Sequence, residues 1–251
     1  MTPNRYRRIR HMLGLRQPDL AVCLEKVHKP HNLAAMMRNC DATGVHHLHA
    51  IWATKHQIRR GTAVGSQNWL KLHSHKTTAD ALAHFKAQGM QVLVTHLSDK
   101  AVDFREVDYT KPTAILFGQE RTGASDEAIA AADQEIIIPM LGMVQSLNVS
   151  VAGSLILYEA QRQRQQAGMF AQPRLDETEC QRILFEGGYP KLAYMCRLKG
   201  LDYPHIDDEG QIQADAEWWL VMQQDGRVEL EEQISIRTGW QRKMAESGQA
   251  D

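Results

Sequence analysis

Short apolar runs alternate with amphipathic stretches along the first two thirds of the chain. Apolar runs of about four to eight residues between turn residues are typical of buried strands. They predict strands at 20–27, 46–52, 70–75, 90–96, 113–117 and 135–138. Stretches with helical periodicity predict helices at 4–14, 31–43, 77–88, 126–132 and 146–166. This alternation predicts an α/β fold, in which helices cover both faces of a parallel sheet.

The pattern changes after Gly168, where the alternation of strands and helices stops. Short helices are predicted at 176–186, 191–199 and 214–222, and Trp218 and Trp219 are their expected packing anchors. The remaining residues are polar, and we expect them to be mobile. The predicted organisation is a basic N-terminal helical extension (1–19), an α/β domain (20–168), a C-terminal helical extension (169–222) and a polar tail (223–251).

Composition indicates a globular protein of the cytoplasm. Apolar residues make up 43% of the 251 residues, which is enough for a sizeable core. The chain has no apolar run of about 18 residues and no apolar segment near its start, so we expect neither a membrane span nor a secretion signal. The four cysteines form no CxxC pair, and His46, His47 and His49 alternate on a predicted strand, so at most two share a face. We therefore expect no metal site.

Charge is distributed unevenly, although the net charge is only −1. Residues 1–60 contain eleven lysines and arginines but three acidic residues, whereas residues 181–251 contain eight basic and thirteen acidic residues. A local basic surface can bind phosphates even when the whole protein is nearly neutral. The alternative is a solvated charged helix. The candidate RNA-binding residues are Arg7, Arg8, Arg10 and Arg16.

Two segments near predicted strand ends carry candidate functional residues. In PHNLAAMMR (30–38), Asn32 lies where a strand passes into a helix, and Arg38 follows among apolar neighbours. The alternative is a surface arginine paired with Asp41. In LFGQERTG (116–123), Gly118 ends a buried strand and permits close approach of the backbone to a ligand. Glu120 could orient an arginine, although an ordinary strand-to-helix turn would also explain this segment.

A third segment, IIIPMLGMVQSLNVSVA (136–152), joins the last predicted strand to the longest predicted helix. Ser146 and Asn148 are expected at the start of that helix, where unpaired backbone N–H groups favour an anion. Helix capping and close packing would explain the polar and small residues equally well. They do not explain the apolar loop before the helix, which predicts a flat pocket suited to an adenine ring. Ligands of parallel sheets bind beyond the carboxyl ends of the strands.

Together, the three segments resemble the three motifs of the SPOUT class of S-adenosylmethionine-dependent methyltransferases, and within it the TrmH family of RNA 2′-O-methyltransferases. The resemblance extends over about residues 1–222. The motif residues are Asn32 and Arg38, then Gly118, Gln119, Glu120 and Gly123, then Ile138, Pro139, Met140 and the run Ser146–Ser150. Segments outside them also match, among them Arg16–Leu20, Leu184–Pro190, Tyr203–His205 and Ala214–Trp219.

The resemblance implies a trefoil knot near the C-terminal side of the core, an obligate homodimer, and S-adenosylmethionine as methyl donor without a metal. It implies methylation of the ribose 2′-hydroxyl of guanosine-18 in the D-loop of tRNA. The catalytic residues implied are Arg38, Asn32, Glu120, Ser146 and Asn148. The cofactor-binding residues implied are Thr95, Gly118, Ile138, Met140 and Leu147.

The role of Arg38 stays open, because a guanidinium normally keeps its proton and is a poor general base. Our hypothesis is that Arg38 orients the hydroxyl and stabilises the developing alkoxide, while an RNA phosphate shares the proton. Two alternatives to the implied activity are another SPOUT methyltransferase, acting on a ribosomal RNA ribose or a base nitrogen, and a non-catalytic RNA-binding relative.

Overall fold

A computed structural model describes residues 1–27, 29–52, 65–119 and 121–224. All but the first two residues of the polar tail predicted at 223–251 therefore lie outside the described residues, as does Glu120. The chain forms two compact units. The larger comprises Arg8–Cys180, and the smaller comprises Met1–Arg7 with Gln181–Asp251.

The helices and strands follow the predicted order closely. The helices are α1 (Pro3–Gly14), α2 (Pro30–Thr43), α3 (Thr78–Ala87), α4 (Asp126–Ala131), α5 (Val149–Gln166), α6 (Glu177–Gly188), α7 (Pro190–Lys199) and α8 (Ala216–Gln223). The strands are β1 (Gln17–Glu25), β2 (Val45–Ile51), β3 (Lys71–His75), β4 (Gln91–Thr95), β5 (Val102–Asp103), β6 (Thr113–Phe117), β7 (Gln134–Ile137), β8 (His205–Ile206) and β9 (Ile212–Gln213).

The larger unit is built on a seven-stranded sheet in the order β3-β2-β1-β6-β4-β7-β5, in which all neighbouring strands are parallel. Alternate residues of β1 enter two separate cores, as the twofold periodicity of a strand requires. Leu20 and Val22 pack with Met36 of α2 and Ile156 of α5. Ala21 and Cys23 belong to the core that contains residues of α3 and α4. The prediction of a parallel sheet with helices on both faces is confirmed.

Local sequence signals explain where most helices begin and end. Pro30 occupies the first turn of α2, and Gly44 ends that helix with φ +83°, a conformation that glycine adopts without strain. The side chains and backbone of Thr77 and Asp80 form a reciprocal capping box at the start of α3.

The start of α5 differs from the prediction. We expected Ser146 to begin the helix, but Asn148 is its N-cap and Val149 its first residue. The Asn148 side chain accepts a hydrogen bond from the backbone N–H of Ser150 at 2.9 Å, which satisfies one of the unpaired donors at the helix start. Ser146 therefore lies in the preceding loop.

The small residues of α5 have a packing role within the chain. A Cβ atom added to Gly153 would lie closer than 3.0 Å to Sδ and Cε of Met36. The absence of a side chain at Gly153 thus lets α5 pack closely on α2. The side chain of Asn39 fixes the same contact by donating to the carbonyl oxygen of Ser150 at 2.7 Å.

The smaller unit contains the helical C-terminal segment and a short antiparallel pair of strands, β8 and β9. Phe185 stacks on Tyr203 with ring centroids 4.7 Å apart, and Trp218 packs edge-on against Phe185 at 6.4 Å. Trp218 is thus a packing residue, as predicted, whereas Trp219 is 38% exposed. None of the helices in the described part of the chain has both the length and the apolar character that crossing a membrane would require.

Candidate active site

A cavity of about 450 Å³ lies at the carboxyl ends of β4, β6 and β7. This is the edge at which parallel sheets bind ligands. Its walls come from the loops after these three strands and from the first turns of α5. The predicted cofactor-binding residues Thr95, Gly118, Ile138, Met140 and Leu147 all line it. The other lining residues are His96, Leu97, Phe117, Gln119, Arg121, Thr122, Gly123, Ile136, Ile137, Gln145, Ser146, Val149, Ala152 and Ile156.

The loop after β6 folds back on itself to form one wall. Gln119 and Gly123 exchange two backbone hydrogen bonds, with N···O distances of 3.0 and 2.8 Å. Gly123 has φ +72°. A Cβ atom on Gly118 would lie closer than 3.0 Å to the backbone of Gly123 and Ala124. Only glycine therefore fits at position 118 while this hairpin-like turn is kept.

The opposite wall is apolar. Ile136, Ile138 and Leu147 line it together with Ile156 of α5. A cavity of this size with an apolar side fits a flat heteroaromatic ring, because small-molecule sites occupy about 300–1,000 Å³ and combine apolar surface with a few polar groups that orient the ligand.

The structure pairs two of the predicted catalytic residues. Asn148 donates from Nδ2 to Oδ1 of Asn32 at 3.1 Å, although the two residues are 116 positions apart in sequence. Asn32 is buried in α2. The Oδ1 atom of Asn148 accepts from both the backbone N–H and the hydroxyl of Ser150. The two asparagines thus link the start of α2 to the start of α5, beside the cavity.

Arg38 and Ser146 differ in their relation to the cavity. Ser146 lines it and is exposed. Arg38 is exposed on α2, does not line the cavity, and forms no hydrogen bond or ion pair with any residue that the structure describes. The alternative interpretation is a surface arginine with an acidic partner such as Asp41. Arg38 does lie at the surface, but Asp41 pairs with Arg16. The Arg38 guanidinium is thus available to a ligand outside the cavity.

Arg16 does not have the surface position that we expected of an RNA-binding residue. Its side chain is 1% exposed. It pairs with Asp41 and donates to the carbonyl oxygen of Val45 at 3.1 Å. A guanidinium held in this way contributes to the protein interior and is not accessible to a phosphate. Of the other three arginines, Arg10 is ion-paired with Glu177 at 2.8 Å, while Arg7 and Arg8 are exposed on α1.

Sequence reasoning missed Arg121 and Gln145, two exposed polar residues that line the cavity. Arg121 lies within the second candidate segment, and its position next to Glu120 could have identified it as a candidate site residue. Gln145 lies in the loop before α5, where only the three-dimensional path of the chain brings it to the cavity.

Histidines from β2, β3 and α3 form a cluster outside the cavity. Nδ1 of His47 lies 2.9 Å from Nε2 of His73, and the same atoms of His49 and His75 are 2.9 Å apart. His84 packs against His49 with ring centroids 5.1 Å apart. As predicted, His47 and His49 share one face of β2, whereas His46 contacts Glu179.

Burial and the neighbouring imidazoles lower the pKa values of the cluster. The pKa falls to about 3 for His47, about 2 for His49 and about 4 for His73. These rings are therefore neutral near pH 7. Within the described ranges, no group of three or more histidine, cysteine or acidic side chains has an arrangement that could hold a metal ion.

Comparisons with known proteins identify the family to which this chain is similar. The SpoU rRNA Methylase family matches residues 19–158, and the C-terminal domain described as SpoU, rRNA methylase, C-terminal matches residues 162–215. The chain is 60% identical over 229 residues to the tRNA (guanosine(18)-2′-O)-methyltransferase of Escherichia coli, covering 90% of this chain and 100% of that protein.

Two solved structures share the fold. A TrmH/SpoU tRNA modifying enzyme of A. aeolicus is 45% identical with a TM-score of 0.70, covering 75% of this chain and 97% of that chain. An AdoMet-bound rRNA methyltransferase of Sinorhizobium meliloti is 30% identical with a TM-score of 0.53, covering 59% of this chain and 60% of that chain. Because the family model matches more than half of its length, this chain belongs to the SpoU rRNA Methylase family.

Proposed function

We propose that this protein transfers a methyl group from S-adenosylmethionine to the ribose 2′-hydroxyl of guanosine-18 in the D-loop of tRNA. The observation that carries this proposal is the cavity, in which the ends of β4, β6 and β7 meet the start of α5. The choice of tRNA and of guanosine-18 is supported by the E. coli relative, since the similarity spans that protein's whole length.

The cavity residues fit the cofactor. The apolar residues Ile136, Ile138 and Leu147 suit an adenine ring, and the glycine at position 118 lets the loop after β6 turn back on itself to form a wall of the cavity. When bound, S-adenosylmethionine supplies a methyl group on a positively charged sulfur, which an oxygen nucleophile can attack without help from a metal. The S. meliloti structure contains AdoMet, and it has the same fold.

The nucleophile is the ribose 2′-hydroxyl, which reacts weakly until it loses its proton. Arg38 is exposed and unpaired among the described residues, so its guanidinium can donate to the 2′-oxygen and stabilise negative charge that develops there. In this proposal an RNA phosphate shares the proton. The pair Asn32–Asn148 holds α2, and with it Arg38, against α5. Ser146 shapes the cavity from the loop, and Glu120 orients Arg38 or the RNA.

A second copy of the chain is part of the proposal. Val151, Leu155 and Tyr158 lie on one face of α5 and are 47%, 44% and 54% exposed, while Leu141 and Met143 in the preceding loop are fully exposed. Large exposed apolar side chains at helical spacing are costly in water and are typical of a protein interface. We therefore infer a homodimer that covers this face of α5, with the active site close to the interface.

The trefoil knot implied by the SPOUT resemblance is retained in the proposal. It is supported by the strand order, in which β7 lies between β4 and β5 although it follows both in sequence. The basic residues Arg7 and Arg8 remain the proposed phosphate contacts for tRNA.

The test is incubation of the protein with labelled S-adenosylmethionine and, in separate reactions, unmodified tRNA transcripts or unmodified ribosomal RNA, followed by mapping of the methylated nucleotide. We expect a single 2′-O-methylguanosine at position 18. A product on ribosomal RNA or on a base nitrogen would replace this activity with another methyltransferase activity, and cofactor binding without any product would indicate a non-catalytic relative.

Variants of Arg38 test the mechanism. Loss of a group that stabilises charge in the transition state typically costs about 10²–10³ in kcat, so Arg38→Ala should lose at least about a hundredfold. Arg38→Lys keeps the charge but loses the planar fork. If Arg38→Lys keeps near-full kcat on intact tRNA, the oriented guanidinium is not required and this part of the mechanism is wrong.

A further inference from the structure

A buried carboxylate lies next to the cavity and has no role in the chemistry described above. Glu25 is the last residue of β1, and its side chain is 2% exposed. Burying a carboxylate is costly unless hydrogen bonds compensate for the lost water. Three donors do so here, and they come from two different parts of the fold, the start of α3 and the loop after β6.

The donors divide into a scaffold contact and a loop contact. The hydroxyl of Thr78, the first residue of α3, donates to Oε1 of Glu25 at 2.5 Å. Ser125 donates twice, from its backbone N–H to Oε2 at 2.8 Å and from its hydroxyl to Oε1 at 2.6 Å. The Ser125 hydroxyl also accepts from the backbone N–H of Ala128 at 3.2 Å and so caps α4. Glu25 therefore ties the end of the loop to the sheet.

This loop is the one that forms a wall of the cofactor cavity. Residues Gln119, Thr122 and Gly123 line that cavity on one side. On the other side the same three residues line a second cavity, of about 330 Å³, which also contains Glu25 and Ser125. The loop is thus a thin partition between two cavities. The loop is held by the two backbone hydrogen bonds between Gln119 and Gly123, by burial of Ala124 in the core, and at its end by the attachment of Ser125 to Glu25.

The backbone next to Glu25 has an unusual conformation, as expected if this arrangement is required. Lys26 has φ +54° and is the only described residue other than glycine with a positive φ. A side-chain-bearing residue rarely adopts this conformation, and such strain is retained where surrounding contacts demand it, often at functional sites. Here it turns the chain sharply after Glu25, so that the carboxylate stays beneath the loop.

We propose that Glu25 is a positioning residue for the methyl donor, since its carboxylate holds Ser125 and thereby the neighbouring loop residues Gln119, Thr122 and Gly123 that line the donor cavity. The inference rests on the proposed function, because the ligand is S-adenosylmethionine. It assigns Glu25 no contact with the reacting atoms. Its effect is on the affinity of the cavity for the donor.

The experiment compares the two residues that donate to the Glu25 carboxylate, Ser125 in the loop and Thr78 in α3. Ser125→Ala removes the hydroxyl on the loop side, and Thr78→Val removes the hydroxyl on the scaffold side with little change in shape. Each variant takes one donor from Glu25, but Ser125→Ala also removes the N-cap of α4 and should lower the melting temperature more than Thr78→Val. Binding of S-adenosylmethionine to the full-length protein is measured by calorimetry, and initial rates are measured with saturating tRNA.

We expect Ser125→Ala to raise the Kd and the KM for S-adenosylmethionine about tenfold, the loss of one hydrogen bond to a charged group. Its kcat at saturating donor should stay near that of the wild type. Thr78→Val should leave the Kd within about twofold. Ser125→Thr keeps the hydroxyl and should restore the affinity. Glu25→Met removes the acceptor of all three hydrogen bonds while the Ser125 hydroxyl still caps α4, so it should raise the Kd at least as much as Ser125→Ala.

The outcomes distinguish this inference from the proposed function. If the wild type does not bind S-adenosylmethionine, the proposed function fails. If the wild type binds it and Ser125→Ala and Thr78→Val change the Kd equally, or not at all, Glu25 only stabilises the fold and the positioning role is wrong. A Kd that rises for both Ser125→Ala and Glu25→Met, recovers with Ser125→Thr and is unchanged in Thr78→Val establishes the role. A Kd that rises for Ser125→Ala but not for Glu25→Met reflects the cap of α4 alone and overturns it.

Discussion

Replacing Gly118 with alanine would place a methyl group where the loop after β6 turns back on itself. The added Cβ would lie closer than 3.0 Å to backbone atoms of Gly123 and Ala124. Backbone cannot rotate out of the way as a side chain can, so the loop would have to retreat by about 1 Å to reach ordinary van der Waals distance. That movement would break the two hydrogen bonds between Gln119 and Gly123.

The magnitude follows from this displacement. Overpacking of this kind costs about 1–3 kcal/mol, and in a chain of this size each kcal/mol lowers the melting temperature by about 2–4 °C. Because the displaced loop is a wall of the cofactor cavity, we also expect methyl transfer to fall by about a hundredfold, the typical effect of misplacing a site by about 1 Å. Thermal unfolding and initial rates measure these two effects, and calorimetry shows whether the displaced loop has also lost affinity for S-adenosylmethionine.

Gly142→Ala is the matched control. Gly142 lies in the loop before α5, and a Cβ atom there would meet none of the described atoms within 4 Å. This variant should keep the stability and activity of the wild type. If Gly118→Ala binds the donor with wild-type affinity and melts within about 1 °C of the wild type, the steric argument, and with it the assigned path of the loop, is wrong.

Three further predictions concern stability, assembly and RNA binding. The pKa of His49 is lowered from about 6.5 in the unfolded chain to about 2 in the folded protein. As the pH falls below about 6.5, the unfolded chain takes up a proton that the folded protein does not, so the free energy of unfolding falls by at most about 1.4 kcal/mol per pH unit. An unfolding free energy that is unchanged between pH 7 and 5 would contradict this. If the proposed homodimer forms, Leu155→Asp or Tyr158→Asp should convert it to a monomer in light scattering, and a dimer that persists in both variants would exclude α5 from the interface. Neutralising Arg7 and Arg8 should weaken tRNA binding and reduce its salt dependence while donor affinity stays constant, and an unaltered salt slope would exclude these two residues.

The order of elements was predictable because the signals that determine it are local. Residues 20–25 are apolar at nearly every position, as expected for a strand that is buried on both faces, and β1 sends alternate residues into two cores. Gly44 and the capping box at Thr77 mark helix ends within a few residues of chain. The loops after β4, β6 and β7 could be predicted as the ligand site for the same reason, since strand direction alone places their ends on one edge.

The partners of the polar residues were not predictable, because each lies far away in sequence. The sequence predicts that Arg16 belongs to a basic surface. In the structure Arg16 is buried, where it pairs with Asp41 and donates to the carbonyl oxygen of Val45. The sequence is compatible with Asn148 as a helix cap and as a site residue. In the structure Asn148 caps α5 and donates a hydrogen bond to Asn32.

By itself the sequence determined the class of fold, the edge of the sheet that carries the cavity, and the residues that line much of it. The tertiary structure alone decided which charged side chains are exposed and which are held, as for Arg16 and Glu25. The physical reason is that apolar burial follows the periodicity of a single helix or strand. A hydrogen bond or ion pair instead needs two groups within about 3 Å, and only the packing of elements distant in sequence brings such groups together.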